Sequence, residues 1–168
     1  MARIWGSAAL LGFGVTVAVH VATTVGRDLY VQFPLVWLLH LGAILVFGAC
    51  VASAAVSQFK LADILSRFPV WALVLVGITF VYNAANVYWC LHIIGGGNAA
   101  MSGGQYVLTT HGRLLAHLTE AEYHAHRAAE LRLFSGAWFP FYLMSAVYFL
   151  LSQGTRPLRA SSMPPAAS

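Results

Sequence analysis

Apolar residues occupy this chain in four long runs, and short polar stretches separate them. The runs cover about residues 4–25, 33–56, 70–94 and 133–151. A helix that crosses a hydrocarbon core of about 30 Å needs roughly 20 mostly apolar residues. The pattern therefore predicts four membrane-spanning helices, which together form one membrane domain over residues 1–153.

The segment between the third and fourth runs, residues 95–132, is too polar and too rich in glycine to lie in lipid. We expect its glycine-rich first ten residues to be flexible. Two short apolar stretches, 105–110 and 113–118, then flank the dipeptide His111-Gly112. A two-residue link with glycine in second place is typical of a β-hairpin. The outer loop is therefore predicted to contain a small hairpin.

A helix is predicted to follow this hairpin. Thr119 and Glu122 are spaced as in a capping box, in which each residue's side chain bonds the other's backbone N–H. No glycine or proline interrupts the chain before Gly136, so the helix should continue into the fourth span, where Pro140 is expected to kink it.

The predicted fold class is an all-α integral membrane protein. It is a four-transmembrane-helix bundle with a small β-hairpin and a juxtamembrane helix in the outer loop between spans 3 and 4.

Composition supports a membrane protein. Of the 168 residues, 60% are hydrophobic and only 8% are charged, whereas about 25% are charged in a soluble domain. These values argue against a soluble enzyme, a nucleic-acid-binding domain, a disordered chain and a disulfide miniprotein. Pro, Ser and Ala dominate residues 154–168, for which we predict a disordered cytoplasmic tail.

The distribution of basic residues predicts the orientation. The side that holds the N-terminus, the loop between the second and third runs, and the tail carries five Lys and Arg, against four on the opposite side. Loops rich in Lys and Arg remain in the cytoplasm. We therefore expect a multi-pass protein of the bacterial inner membrane with both termini in the cytoplasm.

Polar side chains inside the apolar runs lie in one half of the predicted bilayer. Counted from the ends of their runs, His20, His40 and Asn86 should lie about 10–14 Å beneath the same surface. Asn83 shares a helical face with Asn86. Polar groups are costly in lipid and often mark functional sites. The candidate ligand-binding residues are therefore His20, His40, Asn83 and Asn86.

Three interpretations of this polar layer are open. In the leading one, His and Asn side chains hydrogen-bond between closely packed helices, and the protein is a non-catalytic structural or accessory subunit of a membrane assembly. Its partners would be the lipid bilayer and either further copies of itself or other membrane subunits.

The second interpretation is an electron-transfer protein that holds b-type haem or another cofactor at His20 and His40. In overall type this is similar to small membrane cytochromes b, a resemblance limited to the number of spans and the intramembrane histidines. The third is a pathway for a small solute or a proton, lined by Asn83 and Asn86.

The sequence does not favour an enzyme, although it leaves the question open. It contains none of the usual nucleophile, zinc-protease, phosphate-binding or dinucleotide-binding motifs. His124 and His126 would diverge by about 200° on a helix. We therefore predict no catalytic residues and no metal site, and we expect no nucleic-acid partner.

Overall fold

The computed structural model describes residues 1–58, 60, 63 and 66–151. The predicted tail, residues 154–168, lies outside this part of the chain. Within it, four helices are long and apolar enough to cross a membrane. The helices are α1 (Ala2–Thr24), α2 (Leu29–Gln32), α3 (Leu38–Val56), α4 (Val70–Ile94) and α5 (Glu120–Leu151).

The first long helix agrees with its predicted run to within two residues at each end, and α4 has the predicted bounds. Pro69 precedes α4, and Gly95 ends it in the left-handed conformation with φ 62°. Glycine adopts this conformation without steric cost, which is why it commonly ends a helix.

The predicted start of the second run at residue 33 is wrong, because α3 begins at Leu38. Phe33 has φ −133° and ψ 76°, outside the helical region that a following proline disfavours, and Pro34 lies in a turn. Before this turn the chain forms the short helix α2, which the sequence reading missed. Asp28 caps α2 by accepting a 3.0 Å hydrogen bond from the backbone N–H of Tyr30.

The outer loop contains a three-stranded antiparallel sheet in the order β1-β2-β3. The strands are β1 (Asn98–Ser102), β2 (Gln105–Thr110) and β3 (Arg113–His117). The predicted hairpin of β2 and β3 is confirmed, with positive φ at both His111 and Gly112. The glycine-rich stretch before it, for which the sequence predicts no strand, contains β1. Gly103 and Gly104 also have positive φ and make a second two-residue turn, which pairs β1 with β2.

Helix α5 runs without interruption from the outer loop through the fourth apolar run, as predicted. The capping box is confirmed. The Glu122 N–H donates to Thr119 Oγ1 at 3.2 Å, and the Thr119 N–H donates to Glu122 Oε2 at 2.7 Å. Pro140 lies inside the helix, which continues beyond it.

The long helices are arranged around α5. Within its apolar part 56% of the residues are buried, against 28% in α1 and 17% in each of α3 and α4. Helix α5 packs against the other three, while α3 and α4 hardly touch each other. Helix α4 also has few close contacts with α1, so it packs mainly on α5. In the described part of the chain, the expected bundle is therefore open between α3 and α4.

Candidate functional site

The first candidate residue, His20 of α1, lies at a junction of three helices. It is buried, and its Nδ1 lies 2.9 Å from Ser135 Oγ of α5 while its Nε2 bonds Tyr82 of α4. The Ser135 hydroxyl donates to the carbonyl of Arg132 at 3.1 Å. Ser135 must therefore accept from His20 Nδ1–H, and Tyr82 O–H donates to Nε2. Both ring nitrogens of a neutral His20 are satisfied.

Asn86 of α4 joins the same junction through Arg132. It is 3% exposed. Its Nδ2 donates to the Arg132 carbonyl at 3.1 Å, and its Oδ1 accepts from Arg132 Nε at 3.1 Å and from Cys90 Sγ at 3.6 Å. The amide thus bonds helix α5 through both of its polar atoms.

Gly136 of α5 allows both side chains to approach. A Cβ at this position would overlap the side-chain amide of Asn86 and lie 3.3 Å from His20 Cε1. The structure therefore brings His20 and Asn86 together against one glycine. We call His20, Tyr82, Asn86, Arg132 and Ser135 the His20 network.

His40 of α3 is not part of the His20 network. Its Nδ1 accepts a 2.9 Å hydrogen bond from Trp138 Nε1, and its ring makes an edge contact with Phe134 at 6.1 Å between centroids. His20 instead contacts Phe139, at 4.9 Å between centroids. Successive residues on a helix are about 100° apart, so the two histidines meet different faces of α5.

Asn83 also lies outside the His20 network. Its Oδ1 is buried and accepts no hydrogen bond from the described residues. The hydroxyl of Thr16, a residue with no exposed surface, is likewise unpartnered within the described part of the chain. A buried polar atom without a partner costs about 1–3 kcal/mol. These two atoms are polar sites that the helix packing leaves unsatisfied.

A second polar cluster joins the connection after α1 to the first turns of α5. Asp28 Oδ2 lies 3.2 Å from Arg127 Nε and 2.9 Å from His124 Nδ1, and the Asp28 side chain is 5% exposed. The Arg127 guanidinium covers the Tyr30 ring at 4.7 Å and donates to the Tyr123 hydroxyl at 2.8 Å. Sequence reasoning missed this cluster because it treated Asp28 only as the end of a span.

Two apolar cavities meet at His40. The larger, about 620 Å³, lies between α3 and α5 and extends along α3 from His40 to Ala52. The smaller, about 280 Å³, also has His40 in its wall, together with Tyr30, Trp37, Phe134 and Trp138. We call the two together the His40 cavity.

A third cavity, of about 470 Å³, lies between α3 and α4 on the open side of the bundle. We call it the α3–α4 groove. Its walls are formed by α3 and α4, and its floor by α5. The lining includes Val51, Ala54 and Ala55 of α3, Leu73 and Val76 of α4, and Met144 and Val147 of α5.

Among residues with described positions, no three His, Cys, Asp or Glu side chains are grouped as metal ligands would be. Comparisons with family models, with curated proteins and with solved structures find no match. Fold and site together define a mainly helical protein with four helices of membrane-crossing length, arranged around α5.

Proposed function

We propose that the protein is a multi-pass protein of the bacterial inner membrane with both termini in the cytoplasm. In this arrangement α1, α3, α4 and the part of α5 from about Leu133 cross the bilayer. The length and hydropathy of the four helices support it, as do the many large apolar side chains that α3 and α4 expose. The sheet and the polar start of α5 would lie outside.

Its proposed role is that of a non-catalytic subunit of a membrane assembly. The α3–α4 groove carries this proposal, because no helix among the described residues covers this face of the central helix. Ala54 and Ala55 line it, and small residues let a further helix approach closely. The occupant we propose is a helix of a second copy, since a twofold dimer is the commonest closed oligomer.

The cofactor interpretation has less support. A metal-bound histidine coordinates through one nitrogen and donates its other N–H to a protein acceptor. His40 has the opposite arrangement, because its Nδ1 accepts from Trp138. Coordination by His20 Nε2 would require Tyr82 to leave. These two histidines do not fit a pair of axial haem ligands.

The pathway interpretation also has less support. Asn86 is packed against α5 with both polar atoms bonded, which is the geometry of a helix-packing residue. Asn83 Oδ1 has no hydrogen-bond partner among the described residues, but that atom is buried.

The subunit role is tested by co-expressing two copies of the chain that carry different affinity tags. After extraction in a mild detergent, we expect one tagged copy to purify with the other. Ala54→Trp fills the groove and should reduce this co-purification by roughly tenfold, which corresponds to about 1.4 kcal/mol.

The matched control is Ala84→Trp, which adds the same side chain at an exposed position of α4 outside the groove. It should leave co-purification unchanged. Failure of the wild-type copies to co-purify, or equal loss in both variants, would contradict the proposal.

A further inference from the structure

We infer that the His40 cavity binds a neutral, lipid-soluble molecule with a flat ring, a carbonyl oxygen on that ring and an apolar tail. Quinones form the chemical class that has these three features. This inference concerns the face between α3 and α5. Phe47 and Val51 line both this cavity and the α3–α4 groove, but the donor at His40 lies outside the groove.

The hydrogen bond from Trp138 determines what His40 offers to a ligand. An indole N–H can only donate, so His40 Nδ1 must be the acceptor and the ring proton of the neutral imidazole lies on Nε2. No described group accepts a hydrogen bond from Nε2, and His40 is exposed at the wall of the cavity. The cavity therefore presents one fixed N–H donor, which suits a carbonyl oxygen.

The shape of the cavity suits a molecule with a head and a tail. Along α3 the larger part extends from His40 to Ala52, twelve residues or about 18 Å of helix. Beyond His40 and Trp138 it is lined by apolar side chains such as Ile44, Phe47 and Val51. The polar donor is thus at one end, and the remaining length accommodates an apolar tail.

Aromatic side chains surround the end at which the donor lies. The smaller part of the cavity is lined by His40 and four aromatic residues: Tyr30, Trp37, Phe134 and Trp138. Aromatic rings pack well against a flat conjugated ring. No lysine or arginine is present among the described residues that line either part, so the site lacks the cations that a lipid phosphate group would require.

The test measures binding of decylubiquinone, a quinone with a short apolar tail, to the full chain in nanodiscs of phosphatidylcholine. Quenching of tryptophan fluorescence reports binding, since Trp37 and Trp138 line the cavity. We expect saturable quenching by the wild type. His40→Phe keeps the ring but removes the donor, and it should weaken binding by about three- to tenfold, the usual effect of losing one neutral hydrogen bond.

A pair of glycine variants tests the position of the tail. A Cβ at Gly48, which lines the cavity, meets no atom within 4 Å, and the same is true at Gly77 of α4 outside the cavity. Gly48→Leu should weaken binding by roughly tenfold or more, whereas Gly77→Leu should not change it. Ala52→Leu, at the far end of the cavity, replaces Gly48→Leu if that variant does not fold.

Two results would overturn the inference. One is that decylubiquinone quenches the tryptophan fluorescence of the wild type, of Gly77→Leu and of the variant with a filled cavity (Gly48→Leu or Ala52→Leu) equally. The other is equally tight binding of decylbenzene, which has the tail but no carbonyl, together with no effect of His40→Phe. The second result would identify the cavity as a site for lipid chains. Neither result bears on co-purification of two copies, so the proposed subunit role is tested separately.

Discussion

At the scale of single residues, the His20 network depends on the absence of a side chain at Gly136. His20 and Asn86 come from different helices, and each approaches α5 at this glycine. The neighbouring Ser135 hydroxyl and the Arg132 carbonyl receive their hydrogen bonds. A small residue and its polar neighbours thus hold α1 and α4 against the central helix.

Gly136→Ala is therefore expected to destabilise the protein by about 1–3 kcal/mol, the usual cost of overpacking a filled interior. Either the Asn86 amide moves and loses a bond to Arg132, or the helices separate. The control is Gly77→Ala, whose Cβ would meet no atom within 4 Å. Thermal unfolding in detergent measures both variants, and equal midpoints would show that the glycine is not needed for packing.

At the scale of elements, the start of α5 is fixed by its capping box. Glu122 accepts a hydrogen bond from the backbone N–H of Thr119 and another from its hydroxyl, and these lower the pKa of the Glu122 carboxyl from its ordinary value of 4.5. A lowered pKa in the folded state means that the interaction stabilises the helix above pH 4.5 and is lost as pH falls through the lowered value.

Hydrogen exchange of the first-turn amides should therefore rise relative to amides in the middle of α5 when the pH is lowered from about 6 to 3. Glu122→Gln supplies the control, because glutamine can accept the Thr119 N–H at every pH. In that variant the relative exchange should stay constant. A rise of the same size in both proteins would show that the carboxylate does not hold this helix end.

Elements were predictable where a local signal specifies them. The bounds of α4 follow from Pro69 and Gly95, and the second hairpin follows from His111-Gly112. Strand β1 was missed, although the two-residue link Gly103-Gly104 has the same turn chemistry. The late start of α3 was missed because apolar residues continue through the turn at Pro34, and hydropathy alone does not show where a helix begins.

At the scale of the whole molecule, the sequence predicted the lengths of the helices but not which of them are neighbours. Apolar runs of similar length do not show which helix is surrounded by the others. One signal was present, since α5 has the lowest mean hydropathy of the four, and polar residues in membrane helices usually face protein and not lipid. Because helix neighbours were not predictable, the grouping of the candidate site residues was not predictable either. His20 and Asn86 meet at Gly136, but His40 faces elsewhere, and no spacing in the sequence distinguishes them.

Both proposals require that the four long helices cross a membrane, and the proposed orientation places the sheet on the outside. Labelling of single cysteines in intact cells with a membrane-impermeant maleimide tests this most directly. Ser102, beside the first hairpin turn, and Lys60, between α3 and α4, are exposed, whereas the natural Cys50 and Cys90 are buried. We predict that Ser102→Cys is labelled in intact cells and that Lys60→Cys is labelled only after the inner membrane is permeabilised. Equal labelling of the two variants in intact cells, or labelling of Lys60→Cys alone, would contradict the account.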